Sequence, residues 1–194
     1  MNKALLAIFI VASSVSGCTG VRLVDNQVSS FAARSVAPGS SYRFERLPSQ
    51  QAEAAAQDRL ERSAEAALAR VGLKRADTSA TLIAQVLLTQ RVEIGSIDRP
   101  AFGWGFGWFG RHGGISLGHG PLFPGLDERP NYWREVRLTL RDVATQTVVF
   151  ETRASHDGPW SDSAAIVPAM LDAALQGFPD PPQGERRVNI EIAR

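Results

Sequence analysis

The segment that most constrains the fold runs over residues 81–94, TLIAQVLLTQRVEI. Leu82, Ala84, Val86, Leu88, Val92 and Ile94 share one parity, and only Gln90 interrupts them. Gln85, Thr89, Arg91 and Glu93 share the other. Side chains alternate across a strand, so this pattern buries one face and leaves the other largely polar. A sheet covered on one side only is characteristic of antiparallel pairing.

The rest of the chain supplies the partners of that strand. SYRFER at residues 41–46 alternates, with Tyr42 and Phe44 on one side, and Pro48 stops it. Residues 49–72 predict a helix, with Ser49 as a candidate N-cap, Leu60, Ala64, Ala67, Leu68 and Val71 as its apolar stripe, and Gly72 at the left-handed position past its end. Residues 132–142 and 147–156 read as a hairpin, with Val136, Leu138, Leu140, Val148, Phe150 and Ala154 turned inward. A second helix is expected over residues 161–176, capped by Asp162 or Ser163, with Pro168 awkward outside the first turn. A last strand covers residues 187–192. Residues 21–24 and 28–31 read only as short extended pieces of a lead-in segment. The expected fold is an α+β two-layer sandwich: a mostly antiparallel sheet of four to five strands, two helices on one face, and a long glycine- and aromatic-rich loop.

The N-terminus predicts an export signal. Lys3 begins a short positive region, an apolar run covers residues 4–15, and small residues follow. That run is shorter than the roughly 20 residues of a spanning helix. Val15-Ser16-Gly17-Cys18 resembles the lipobox of bacterial lipoproteins. The resemblance implies cleavage before Cys18, lipid on its thiol and acylation of the new amine by chains such as palmitate. Thr19 in place of Asp implies, by the same resemblance, delivery to the outer membrane. Cys18 is the chain's single cysteine, which excludes an internal disulfide framework and a cysteine-rich zinc site. The expected organisation is a signal peptide at residues 1–17, a lipidated lead-in at 18–40 and one α+β domain at 41–194, with the loop at 95–130.

The formal net charge is +1, and one of its cations is Lys3 in the expected leader. A near-neutral chain has no electrostatic reason to seek nucleic acid. Charges of both signs are interspersed, which reads as a solvated surface.

SYRFERLP before an Ala-rich helix ending ARVGLKRAD, the strand TLIAQVLL, the FGWGFGWFG segment, VRLTLRDVATQTVVFETRA and the late FPDPP together resemble the bacterial lipoproteins of the domain of unknown function 4136 family. The resemblance covers roughly residues 20–194, most loosely at 21–39. It implies an envelope lipoprotein with an α+β domain, and it supplies no catalytic residues.

Patterns that suggest chemistry lack their context. Gly105, Gly107 and Gly110 match the dinucleotide-binding spacing, yet the preceding strand ends near Ile94 and Gly113-Gly114 cannot open a helix. Gly114, Ser116 and Gly118 match the nucleophile elbow with His119 adjacent, and His156 with Asp157 nominally completes a triad. Gly120-Pro121 follows where the elbow needs a helix. His112, His119 and His156 have no metal-ligand spacing. No cofactor, metal or catalytic residue is therefore expected.

Residues 95–125 hold ten of the 17 glycines, together with Phe102, Trp104, Phe106, Trp108 and Phe109. Three readings stand: a lid folded over the sheet, a contact for a partner or ligand, or a contact with the membrane interface. The sequence thus predicts a non-enzymatic binding or structural module, held to the outer membrane by the lipid on Cys18 and facing the periplasm. Phe102, Trp104, Phe106, Trp108 and Phe109 would meet an envelope protein or a cell-wall component. The alternative is a small envelope hydrolase using Ser116 and His119.

Overall fold

The computed structural model describes residues 20–95 and 129–193. Its elements are β1 (Val21–Ala32), β2 (Ser41–Phe44), α1 (Pro48–Ala52), α2 (Ala54–Arg70), β3 (Lys74–Arg75), β4 (Leu82–Gly95), β5 (Arg129–Asp142), β6 (Val148–His156), α3 (Ser163–Leu175) and β7 (Glu185–Ala193). The strands form one sheet of order β3-β2-β4-β5-β6-β1-β7. β2 runs parallel to β3 and β4, and every other pairing is antiparallel.

This corrects the expected sheet of four to five mostly antiparallel strands and two helices: the sheet is mixed and has seven strands, and the helices number three among the described residues. The parallel pairing follows from connectivity. One helical crossover, α1–α2, carries the chain from β2 to β4, and a crossover on one face returns the strand in the same direction. The two further strands are β3, only two residues long, and β1, which lies between β6 and β7. Twelve residues form β1, where sequence periodicity reads two short pieces. Its helix-facing parity reads Val24, Asn26, Val28 and Ser30, and the two polar residues mask the alternation. Asn26 donates to the carbonyls of Val24 and Val188, and Ser30 bonds the Thr152 hydroxyl, so neither leaves its donor unsatisfied in the core.

The core lies where alternation predicts it. Val86, Leu138, Leu140, Phe150 and Ala154 are fully buried against Leu68, Met170 and Leu171. In β6 the inward set shifts. A register irregularity at Leu140/Arg141 leaves Val148 exposed and buries Val149, and Thr152 reaches across to the Ala174 carbonyl.

The first helical stretch breaks at Glu53 into α1 and α2. α1 opens at Pro48, where a missing N–H costs nothing. The Leu47 N–H is satisfied by Gln50 Oε1 at 2.8 Å. α2 ends as its sequence predicts: Gly72 takes φ +88°, its N–H bonds Ala69 O, and Leu73 N–H bonds Leu68 O. Asp162 caps α3 by accepting from the Ala165 N–H at 3.3 Å. Pro168 lies inside α3, past its first turn, so the Ala164 carbonyl lacks its usual helical donor.

Candidate functional site

α2 is electrically two-sided. Asp58, Glu61 and Glu65 follow one another at steps of three and four and share a flank. Each is held by an arginine. Arg46 donates to both Glu61 carboxylate oxygens at 2.6 and 2.7 Å and to Asp58 at 2.6 Å, and Arg75 reaches Glu65 at 2.9 Å. Arg59 and Arg70 lie on the other flank, toward α3, and Arg62, four residues from Asp58 and three from Glu65, stands on the solvent side between the two flanks, at the groove's rim. Arg70 pairs with Asp172 of α3. Arg59 and Arg62 make no ion pair among the described residues.

Between that flank and the first turns of α3 lies a groove of about 630 Å³. Leu60, Leu88 and Val167 give it an apolar floor, and Ser163 and Gln90 close one side. A smaller depression of about 280 Å³ continues it along Ala56, Gln57 and Leu87 toward Ser49.

Behind Ser163 sits Arg134, whose side chain is 1% exposed. Its Nε donates to Ser163 Oγ at 2.9 Å, Nη1 to Tyr132 O at 3.2 Å and Nη2 to Trp160 O at 2.9 Å. The Ser163 hydroxyl passes its own hydrogen to Gln90 Oε1 at 2.8 Å. Loss of water around the guanidinium lowers its pKa from the ordinary arginine value, and Asp162 opposes that shift. No carboxylate lies within ion-pair distance of Arg134 among the described residues. The groove therefore combines an apolar floor, two unpaired arginines on its rim, the N-terminal end of α3 and a buried positive charge behind its wall. Every one of these favours a ligand with an apolar body and a negative group.

The groove opens at one particular end of the sheet. Gln90 pairs with Arg134 and Arg134 with His156, which gathers the far half of β4, the first half of β5 and the end of β6. His156 Nδ1 lies 2.7 Å from Asp25 O, and Arg22 bonds Asp162 at 3.3 Å, which adds the start of β1 and the cap of α3.

Of the residues singled out from sequence, Cys18, Phe102, Trp104, Phe106, Trp108, Phe109, His112, Ser116 and His119 lie outside the described residues. His156 is described, and it is buried against the β1 backbone beside Asp25, with Asp157 exposed next to it. Asp142 is a turn residue, accepting from the Ala144 and Thr145 N–H groups and pairing with Arg34. Among the described residues no three His, Cys, Asp or Glu side chains come together as a metal site requires, and no helix is long and apolar enough to cross a membrane. The groove itself escapes sequence reasoning, although two signals for it exist. Arg134 shares the parity of Val136, Leu138 and Leu140, and the acids of α2 are segregated from Arg59 and Arg70 by helical spacing.

Among the described residues the chain is one mixed seven-stranded sheet carrying three helices, with an open groove between two of them. Residues 28–180 match the family model described as "Domain of unknown function (DUF4136)", and the chain belongs to that family. No curated protein matches the chain in sequence. Among solved structures, a PDZ domain protein from Parabacteroides distasonis superimposes with TM-score 0.52 at 13% identity, over 100% of this chain and 44% of that one. This chain thus spans less than half the length of that protein, and the likeness concerns the fold alone. Two structures of the PelC dodecamer from Paraburkholderia phytofirmans give TM-score 0.44 at 16% and 15% identity, covering 77% and 76% of this chain and 94% and 95% of theirs.

Proposed function

We propose that this member of the family is a non-enzymatic binding module of the cell envelope, tethered to the outer membrane through lipid on Cys18, facing the periplasm, and holding an elongated amphipathic anion in the groove between α2 and α3. The observation that carries the binding reading is the pairing pattern of α2. Its acids are all neutralised on one flank, while Arg59 and Arg62 make no ion pair among the described residues and line a groove with an apolar floor.

The position of β1 supports the tether. Two residues, Thr19 and Gly20, lie between Cys18 and Val21, a reach of at most about 10 Å. A lipid on Cys18 holds the start of β1, and with it the mouth of the groove, close to the bilayer. Val21 and Leu23 are exposed at that start, 59% and 54%, which suits a surface resting near lipid. The segment between Gly95 and Arg129 leaves the sheet at the same end, so Phe102, Trp104, Phe106, Trp108 and Phe109 belong to this reading as a contact surface for an envelope protein or cell-wall component.

Two experiments test it. Cells fed a labelled acyl precursor should transfer label to the wild-type chain and not to Cys18→Ser; label on Cys18→Ser removes the anchor. For the groove, a long-chain acyl carboxylate and the uncharged alcohol of the same chain are titrated into the soluble protein. The carboxylate should bind the more tightly. Arg59→Gln combined with Arg62→Gln should weaken it by about tenfold, close to 1.4 kcal/mol, with little change for the alcohol. Ala66→Trp, on the exposed groove wall, should exclude both. Carboxylate binding indifferent to all three substitutions overturns the groove reading.

A further inference from the structure

Among the described residues β4 has an unoccupied edge. β2 pairs with it only as far as Phe44↔Ala84. Glu45 N–H then bonds Ala84 O at 3.0 Å, and the chain turns away into α1. Val86 O, one step further along the same side, is satisfied by the amides of Gln50 at 2.8 Å and Gln57 at 3.4 Å. Backbone groups alternate sides along a strand, so Leu88, Gln90 and Val92 turn their N–H and C=O to the side already used by Ala84 and Val86. β5 occupies the other side at every register position to Gly95↔Arg129. Nothing among the described residues pairs with these three.

Proteins guard open edges with lysine, proline, bulges or brevity. Residues 88–94 have no lysine and no proline, and Val92, on the helix-facing parity, is 60% exposed. On the opposite face Arg91 lies over the Trp133 ring, 4.0 Å from its centroid, and makes no ion pair among the described residues.

We propose that the β4 edge at Leu88, Gln90 and Val92 binds an extended segment of a partner protein as an added strand. Its apolar side chains lie on the Leu88/Val92 face and an acidic side chain stands beside Arg91 on the other. Only an extended backbone offers acceptors and donors at the spacing of three alternate residues, which is why a peptide, and not a compact ligand, fits here. Opposite charges on neighbouring strands supply the selectivity. This site borders the groove through Leu88 and Gln90, but its recognition differs from that of the amphipathic anion: it uses the strand backbone and Arg91, and neither Arg59 nor Arg62.

The test uses the full chain and a synthetic peptide alternating valine and glutamate. Amide hydrogen exchange at Leu88, Gln90 and Val92 should be fast in the free protein and slow by about tenfold or more at saturating peptide. Methylating the peptide nitrogens that face β4 should abolish the effect, and methylating the alternate nitrogens should not. Val92→Pro removes one edge N–H without disturbing β5, since that N–H faces outward, and should abolish binding. Arg91→Glu should shift preference to a valine–lysine peptide, a readout that a merely unfolded variant cannot give. Amides already protected in the free protein would mean that the chain covers its own edge. That result, or binding indifferent to nitrogen methylation and to Arg91→Glu, overturns the proposal.

Discussion

Arg134 donates its Nε–H to Ser163 Oγ at 2.9 Å, and this single contact ties a buried cation in β5 to the first residue of α3. The guanidinium is almost wholly excluded from water, and its partners are two backbone carbonyls and one hydroxyl. Removing the hydroxyl leaves a charged donor short of an acceptor and frees Gln90. Ser163→Ala should therefore cost about 1–3 kcal/mol in urea unfolding, more than a surface serine would. Arg134→Ala, which leaves a cavity and strips the Tyr132 and Trp160 carbonyls of their donors, should cost about 3–5 kcal/mol. Arg134→Met should recover part of that loss, because it fills the space without a charge to desolvate. Equal losses for Met and Ala would show that the hydrogen bonds, and not the packing, dominate there.

This contact also shows where sequence periodicity stops being informative. β4 and the second half of β5 are legible because their buried parity is apolar almost throughout. Arg134 and Thr152 occupy the same buried parity and are as inaccessible as Leu138, yet a hydropathy pattern scores them as solvent-facing. β1 fails for the same reason at Asn26 and Ser30. What makes these positions polar is a partner far away in sequence, such as Ala174 O for Thr152 or Val188 O for Asn26, and no local window contains that partner. The parallel pairing of β2 was recoverable from connectivity, since a strand, a helix and a strand in succession form a crossover unit. The groove was not, because it depends on how α2 and α3 lie together.

The Arg46 clamp gives a graded prediction. Glu61 is buried and receives two arginine bonds and one from Gln57 Nε2 at 3.1 Å, whereas Asp58 is half-exposed. Charge-assisted bonds out of water are worth more than screened ones. Glu61→Ala should lower unfolding stability by about 1.5–3 kcal/mol and Asp58→Ala by about 0–1 kcal/mol. High salt should narrow the second loss and leave most of the first. Comparable losses at both positions would contradict the burial difference.

Gly72 offers a backbone test with no packing contribution. At φ +88° a β-carbon would meet nothing within 4 Å. Gly72→Ala should therefore report conformational strain alone, about 1–2 kcal/mol, with the α2 C-terminus intact. Gly177, at φ +87°, differs, because a β-carbon there would approach Pro182 Cδ to 3.1 Å, so Gly177→Ala should cost more than Gly72→Ala. Denaturant midpoints of the two variants compared side by side check the ordering.

Tyr42 couples folding to alkaline pH. It is buried in β2 with its ring edge-on to Phe44 at 5.3 Å. Burial pushes its phenol up to about 12, Glu65 and Asp77 add to the shift, and Arg75 opposes it. The folded protein thus holds the phenolic proton more tightly than the unfolded chain, whose value lies near 10. By linkage the corresponding stability is fully present below pH 10 and is lost as the pH rises toward 12, because the unfolded state ionises first. Unfolding free energy measured between pH 9 and 12 should fall across that window, and Tyr42→Phe should flatten the fall. The phenolate absorbance of Tyr42 should rise together with the loss of secondary structure. A Tyr42 that ionises near pH 10 in the intact fold would show that water reaches its hydroxyl.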